Sequence, residues 1–212
     1  MTMDATMYLS RLLIPRQTAL KRRLVSAYEL HRALWTCFPG IPAGTVRPFL
    51  FRTTELAAGT RILMLSKERP LPLDFAEWDG TKAFQAEFAA GSLFLFRLRA
   101  NPVKRVTSDN RLRAITDRRA PDSGGPSPLR AWLEGKARLH GFELKSVPEF
   151  SACHLAAFSK NAGSGSISLN VVDIGGALQV TDADRFADAF RNGIGHGRAF
   201  GCGMLLLRRI EL

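Results

Sequence analysis

The sequence predicts an α+β protein made of tandem ferredoxin-like (RRM-like) domains, and three observations predict it. Its 212 residues, 46% of them hydrophobic, suffice for one ordinary domain or two small ones. Segments with strand-like alternation are interrupted by segments with helical spacing. On both sides of Gly91 these segments approximate the order strand–helix–strand–strand–helix–strand. We therefore expect an N-terminal domain over residues 1–90 and a C-terminal domain over residues 91–212.

The first half contains four strand-like stretches. Residues 8–15 (YLSRLLIP) predict an opening strand, which a basic linker at 16–23 follows. Residues 49–54 and 60–66 are separated by Ala-Ala-Gly and predict a hairpin. Spaced phenylalanines favour a strand over 82–89. The second helix that the predicted order requires in this half has little support in the sequence.

One helix of the first half is marked at both ends. Ser26 and Glu29 have the spacing of a capping box, in which the serine accepts from a backbone N–H and the glutamate reaches back to the cap. The helix should run to about Phe38, where Pro39 and Gly40 stop it. At about 100° per residue its buried stripe consists of Ala27, Leu30, Leu34, Cys37 and Phe38.

The second half opens with a strand at 93–100 (LFLFRLRA), which carries Arg97 and Arg99 on one face and larger apolar residues on the other. An arginine-rich connection follows and ends in a turn sequence at 121–126. Residues 128–139 have helical spacing and precede a glycine that closes the helix.

The remaining chain predicts strands, one helix and a final strand. Several strand-like segments lie between residues 142 and 180, interrupted by a glycine-rich turn at 163–165. A capped helix begins at 181–184, has apolar residues at i, i+3, i+4 and i+7, and ends at Gly193. A glycine-rich segment then leads to a last strand at 204–212.

The charge balance restricts the class of partner. Thirty Lys and Arg face nineteen Asp and Glu, which gives a net charge of +11 and a pI near 10.4. Such an excess favours polyanions, of which nucleic acid is the commonest and an anionic membrane surface the usual competitor. No apolar run is long enough to span a bilayer, and no basic amphipathic helix with an aromatic face is present. We therefore expect no membrane partner.

The metal-ligating residue types are few and scattered. Cys37, Cys153 and Cys202 form no C-x-x-C pair, and the four histidines add no metal-ligand spacing. We expect no metal and no other cofactor, and reduced, buried cysteines in a cytoplasmic protein.

Three side chains that handle protons or anions share one edge of the first helix. His31 lies at the rim of the buried stripe, Tyr28 lies one turn earlier, and Arg32 is beside them. RNA cleavage by its own 2′-hydroxyl needs a base, an acid and cationic stabilisation of the phosphate. Histidine suits the proton transfers because its pKa lies near 6.5. The spacing has a second interpretation, a half-buried histidine beside an ordinary surface tyrosine. From spacing alone this second interpretation is the commoner one, because such pairs occur on many helices.

Residues 193–203 (GIGHGRAFGCG) form a glycine-rich segment. Dense glycine lets backbone N–H groups approach a phosphate closely, so Gly195, Gly197, Arg198 and Gly201 are candidate RNA contacts. The segment matches neither a Walker loop nor a dinucleotide fingerprint, since it follows a helix and precedes a strand. The alternative is a long flexible connection.

A basic run follows the strand at 93–100. It is opposed only by Asp109 and Asp117, so a phosphate backbone could track along it. The alternative is a solvated charged face. Its members are Arg97, Arg99, Lys104, Arg105, Arg111, Arg113, Arg118 and Arg119.

Together these segments resemble the CasE family, the CRISPR-transcript endoribonucleases of the type I-E Cascade system. The matching pieces are YLSR at 8–11, Tyr28 and His31 on the first helix, FRLRANPVK at 96–104, and the glycine-rich segment continued to Leu205. They occur in family order over nearly the whole chain. The last two are specific, whereas Y-x-x-H alone would be weak.

The resemblance implies that the two domains pack across a cleft. It implies metal-independent cleavage at the base of a repeat hairpin, which leaves a cyclic phosphate, and retention of the mature guide RNA. The implied partners are CRISPR repeat RNA as a stem-loop and other Cascade subunits. By position, His31 is the leading acid or base and Tyr28 its partner. A departure is His196, which stands where the family often has proline.

A second function remains open from the sequence. A non-catalytic protein that binds structured RNA would need the same basic surface, and substitution of His31 separates the two hypotheses.

Overall fold

The computed structural model describes residues 6–24, 26–42, 45–116, 127–153 and 169–211. These residues form an α+β fold, as predicted, in which every sheet is antiparallel. Of the sequence-predicted features, Arg118, Arg119, His154 and the turns at 121–126 and 163–165 lie outside the described residues.

The first half is built on a four-stranded sheet, which we call the first sheet. Its strands are β1 (Thr6–Pro15), β2 (Phe49–Leu56), β3 (Gly59–Ser66) and β4 (Glu77–Gln85), in the order β2-β3-β1-β4. The predicted opening strand and hairpin are confirmed. The hairpin turn needs Gly59, because a Cβ there would lie 2.2 Å from the Ile14 carbonyl oxygen.

Three features of this half differ from the prediction. Among the described residues no helix lies between β3 and β4, where Pro70 and Pro72 interrupt the chain, so the second helix of the predicted order is missing. The expected linker forms a short helix, α1 (Arg16–Lys21), which the sequence does not reveal because none of its residues is buried. Strand β4 begins at Glu77 and ends at Gln85, rather than spanning 82–89. It is a mostly exposed edge strand, so its polar start carries no hydrophobic alternation.

The predicted capped helix is α2 (Ala27–Trp35). The Ser26 hydroxyl accepts from the Glu29 backbone N–H at 3.4 Å, as the capping-box spacing predicts. The helix buries Leu30 and Leu34 against one face of the first sheet, in a core shared with Phe49. It ends three residues before Phe38 in a tight turn.

The second half opens with β5 (Leu93–Ala100), as predicted. The arginine-rich connection is not wholly irregular, because its first part forms a two-stranded antiparallel hairpin of β6 (Val103–Arg105) and β7 (Leu112–Ala114). We call residues 103–114 the basic hairpin. Its strands are short and exposed, so hydrophobic periodicity could not predict them.

The second sheet is assembled around β5. The predicted helix is α3 (Pro128–Leu139), followed by β8 (Phe142–Leu144), β9 (Glu149–Cys153) and β10 (Val171–Val180). The other predicted helix, α4 (Ala183–Asn192), is capped by Asp182 and leads through the glycine-rich segment to β11 (Leu205–Arg209). The strand order is β11-β5-β10-β8, with β9 also paired to β10.

The second face of the first sheet packs against the second half. Leu50 and Leu65 belong to the same buried cluster as the β5 side chains and the α4 phenylalanines. The Phe84 ring meets the Phe190 ring edge-on at 6.2 Å between centroids. The first sheet therefore lies between α2 and most of the second half. The glycine-rich segment is close to α2 because its residues 198–200 contact both α2 and β2, which is an edge strand of the first sheet.

Candidate active site and anion-binding cleft

His31 is held by aromatic neighbours. The indole N–H of Trp35, one turn along α2, donates to His31 Nε2 at 3.1 Å. The imidazole ring lies 5.8 Å from the Phe49 ring and 6.5 Å from the Phe51 ring, with the Phe51 ring plane 15° away. Because Nε2 accepts a hydrogen bond, the neutral ring carries its hydrogen on Nδ1. The half-buried imidazole thus has a fixed orientation.

The surroundings of His31 keep it neutral. Burial, and secondly the positive charge of Arg47, lower the pKa of His31 from 6.5 to about 4. At physiological pH the ring therefore holds no charge and can accept a proton. Protonation becomes easier when a negative group approaches.

Arg47 also lies next to His31, and the sequence pattern did not single it out. Its Nε donates to the Phe49 carbonyl at 2.6 Å, and its guanidinium carbon lies 5.6 Å from the Phe49 ring centroid. Burial and the charge of Arg198 lower the pKa of Arg47 to about 10, so it stays cationic at neutral pH. A lone arginine before a strand has no periodic neighbours, which is why the pattern did not reveal it.

A cleft of about 530 Å³ opens beside Arg47, between the start of β2, the end of α3 and the glycine-rich segment. No Asp or Glu is among the described residues that line it. Burial and the charges of Lys136 and Arg198 lower the pKa of its His140. We call it the cationic cleft; its basic and histidine side chains are Arg47, Lys136, His140, Arg191, His196 and Arg198. Such a lining suits a polyanion.

Three of these cleft residues were not predicted from the sequence as site residues. Lys136 and His140 lie at the end of α3, and Arg191 lies in the last turn of α4. Basic residues in such positions are common because they complement the helix dipole. The sequence contains no signal that the two helix ends face the same cleft.

The glycine-rich segment forms a shaped loop beside α2. Residues 198–200 make a 3₁₀ turn that contacts α2 and β2. Gly195, Gly197 and Gly201 have φ of +82°, +82° and +84°, which favour glycine. The Arg198 guanidinium donates to the Asn192 carbonyl at 2.7 Å. The turn of this segment therefore lies against the helix that carries His31.

The other two residues on the helix edge differ in exposure. Tyr28 is half-buried one turn before His31, whereas Arg32 is exposed. The structure therefore keeps the predicted trio on one helix.

The structure corrects the predicted arginine track on β5. Arg97 is exposed, but Arg99 is not available as a surface cation, because its guanidinium binds both carboxylate oxygens of Asp173 at 2.9 Å and the Thr53 carbonyl at 3.0 Å. Arg52 also pairs with Asp173 at 3.2 Å. Arg99 thus joins the two sheets.

The basic hairpin carries the other cations of the predicted basic run that the structure describes. Lys104, Arg105, Arg111 and Arg113 are all exposed on it. Arg113 pairs with Asp109 at 3.0 Å, which offsets part of its charge. The base of the hairpin lies next to the glycine-rich segment, because Asn101 and His196 form a β-bridge. The hairpin and the cationic cleft are therefore neighbours.

The described residues contain no group of three or more His, Cys, Asp and Glu side chains that could hold a metal ion. Among them no helix is both long and apolar enough to cross a membrane.

The chain is similar to characterised proteins along its length. A model of the family described as "CRISPR associated protein" matches residues 7–209. The chain is 32% identical to the CRISPR system Cascade subunit CasE of Escherichia coli, over 95% of this chain and 98% of that protein. It is 28% identical to the CRISPR-associated endoribonuclease Cse3 of Thermus thermophilus, over 94% and 98%.

A solved structure has a similar fold over nearly the whole chain. Thermus thermophilus Cse3, bound to an RNA that represents a pre-cleavage complex, superposes with a TM-score of 0.76 at 26% identity, covering 96% of this chain and 99% of that one. The predicted resemblance is confirmed. The chain belongs to the CRISPR-associated protein family that contains CasE and Cse3.

Proposed function

We propose that this chain is a metal-independent endoribonuclease that cuts precursor CRISPR RNA at the base of the repeat hairpin and retains the guide RNA in Cascade. One observation carries the proposal: a neutral, oriented His31 lies beside a cleft lined by cations. Relatives of similar length are named as an endoribonuclease and as a Cascade subunit.

The proposed chemistry is attack by the RNA's own 2′-hydroxyl. The 2′-oxygen bonds to the adjacent phosphorus, the bond from phosphorus to the 5′-oxygen breaks, and the products are a cyclic phosphate and a 5′-hydroxyl. One proton leaves the 2′-oxygen and one reaches the 5′-oxygen. Neutral His31 can accept the first proton, and the imidazolium so formed can supply the second. Tyr28, one turn away on α2, is its proposed partner.

Trp35 restricts the state in which His31 can act. The indole N–H is a donor only, so Nε2 takes up a proton only after that hydrogen bond breaks. The approach of a phosphate, which favours the imidazolium, supplies a reason for it to break.

We propose that three surfaces bind the RNA backbone. The basic hairpin contributes Lys104, Arg105, Arg111 and Arg113; the glycine-rich segment contributes Gly195, Gly197, Arg198 and Gly201; Arg32 and Arg97 add exposed charge. Shape and backbone contacts of this kind suit the A-form stem of a hairpin.

The two halves are proposed to be tandem ferredoxin-like domains that meet near Gly91 across a cleft. The strand orders support this. The first sheet has the order β4-β1-β3-β2, and the second sheet has the corresponding order β11-β5-β10-β8 when β9, which pairs with β10 off this path, is left out. We place the protein in the cytoplasm with its transcript.

Incubation of the protein with end-labelled repeat hairpin RNA, in excess chelator, tests this function. We expect one cut at the base of the stem and a fragment that ends in a cyclic phosphate. Binding without a cut would favour a non-catalytic RNA-binding protein, and a cut that requires added metal would refute metal independence.

A further inference from the structure

Arg47 carries a half-buried positive charge beside His31, and none of the described carboxylates pairs with it. Both its guanidinium carbon and the His31 ring lie within 6 Å of the Phe49 ring centroid. Only its Nε has a hydrogen-bond partner within the described chain, the Phe49 carbonyl. No Asp or Glu there lies within ion-pair distance of Arg47.

Other arginines of similar burial are neutralised. Arg52 and Arg99 both pair with Asp173. Arg47 instead has Arg198 close enough for their charges to repel, as the lowered pKa of Arg47 indicates. An unbalanced charge that is partly removed from water is costly unless an anion arrives to pair with it. This electrostatic cost points to a site prepared for an anion.

The anchoring of Arg47 suits one kind of anion. Because Nε is held by the Phe49 carbonyl, the two terminal nitrogens of the planar guanidinium have a fixed direction. Such a group binds two oxygens of one phosphate in parallel. In cleavage by a 2′-hydroxyl, negative charge accumulates on those oxygens in the transition state, where a fixed cation is most effective.

We propose that Arg47 is a catalytic residue that contacts the scissile phosphate through its terminal nitrogens and stabilises the pentacoordinate transition state while His31 transfers the proton. The proposal rests on the proposed function. The bound phosphate would also offset the charge of Arg47 that disfavours the His31 imidazolium, so the same contact makes His31 easier to protonate. Arg47 forms no covalent bond, and its guanidinium stays protonated throughout.

A purely structural role for Arg47 would have different consequences. If the arginine only secured the start of β2 through Phe49, its loss would lower thermal stability and impair cleavage and binding together. A catalytic role lowers the rate of the chemical step at saturating protein and leaves affinity largely intact.

The test compares Arg47→Met, Arg47→Lys and the control Arg61→Met, which removes an exposed charge from β3. Single-turnover cleavage of repeat hairpin RNA gives the rate, and a hairpin with a 2′-deoxy nucleotide at the cut gives Kd. We expect Arg47→Met to lower the rate by about 10²- to 10³-fold with less than about tenfold change in Kd. Arg47→Lys should be intermediate, because it keeps the charge and loses the paired geometry. Arg61→Met should match the wild type.

A second readout separates the electrostatic role from misfolding. NMR titration of the His31 ring in Arg47→Met should show a higher pKa than in the wild type. If Arg47→Met does not fold, Arg47→Lys serves alone, and a wild-type rate in that variant overturns the proposal. A wild-type rate in folded Arg47→Met, or a loss confined to Kd, overturns it as well. Wild-type protein that leaves the RNA intact would instead refute the proposed function.

Discussion

Trp35 lies one turn after His31 on the same helix, and its indole N–H donates to Nε2 of His31 at 3.1 Å. A donor at that position stabilises the neutral imidazole and opposes the imidazolium, because two N–H groups cannot share one lone pair. Burial and the charge of Arg47 act in the same direction. The site therefore holds His31 in one tautomer and one charge state.

Replacing Trp35 by phenylalanine should raise the pKa of His31. The variant keeps a large apolar ring and removes the donor that favours the neutral form. NMR titration of the His31 ring measures the change, and cleavage at neutral pH should fall by less than about tenfold, because the indole is not proposed to touch RNA. Trp78→Phe is the matched control, since that indole donates to Thr81 instead. An unchanged His31 pKa in Trp35→Phe would show that the hydrogen bond has no electrostatic role.

The lowered His31 pKa should also make stability depend on pH. Between about pH 6.5 and about pH 4 the unfolded chain binds a proton at His31 that the folded chain does not, so stability falls as pH falls through this window. Urea unfolding at several pH values measures the slope. His31→Asn should have a flatter profile over that range. Identical slopes for the two proteins would contradict the assigned shift.

Asp173 should be important for stability because it balances two arginines. Burial opposes its ionisation, but hydrogen bonds from Arg99 and the charges of Arg52 and Arg99 lower its pKa overall. Asp173→Asn would remove the carboxylate charge with which both guanidinium groups, each 12% exposed, are paired. We expect a loss of about 2 to 3 kcal/mol in the free energy of unfolding, measured in urea.

Asp79→Asn provides the comparison for that measurement. Its carboxylate pairs with Arg11 on the surface, and both side chains are more than half exposed. Such pairs contribute about 0 to 1 kcal/mol. Equal losses in the two variants would mean that the Asp173 network does not join the sheets as described.

The basic hairpin should determine how strongly RNA binding depends on salt. The side chains of Lys104 and Arg111 are exposed and form no ion pair with a described carboxylate, whereas the Arg113 side chain pairs with Asp109. The double substitution Lys104→Gln and Arg111→Gln should reduce the slope of log K against log salt by up to about two. Arg113→Gln should change it less. Filter binding of the stem-loop at several salt concentrations gives the slopes, and an unchanged slope in the double variant would exclude the hairpin from the interface.

The helices that the sequence predicted are those with both a cap and a buried stripe. Helix α2 was predictable because Ser26 caps it and Leu30 and Leu34 repeat on one side. Helix α1 and strand β4 were not, because they bury little and so carry no periodic signal.

The site was predictable only where its residues are close in sequence. His31, Tyr28 and the glycine-rich segment had local patterns. Trp35 follows His31 by four residues on α2, a spacing that places the two side chains side by side, although the pattern gave no reason to single it out. Arg47 acts on His31 through the tertiary packing at the start of β2, which no spacing encodes. Arg99 matched a surface pattern, but its partner Asp173 comes from a distant strand, so its pairing was invisible in the sequence.

The most direct test of the account is single-turnover cleavage of the repeat hairpin by wild-type protein and by His31→Ala, with binding to the 2′-deoxy hairpin measured in parallel. We expect His31→Ala to lower the rate by about 10²- to 10⁴-fold, because the group that carries the protons is lost. Affinity should stay within a few-fold, because backbone cations supply most of it. Wild-type cleavage by folded His31→Ala, or normal cutting of the 2′-deoxy hairpin, would contradict the account.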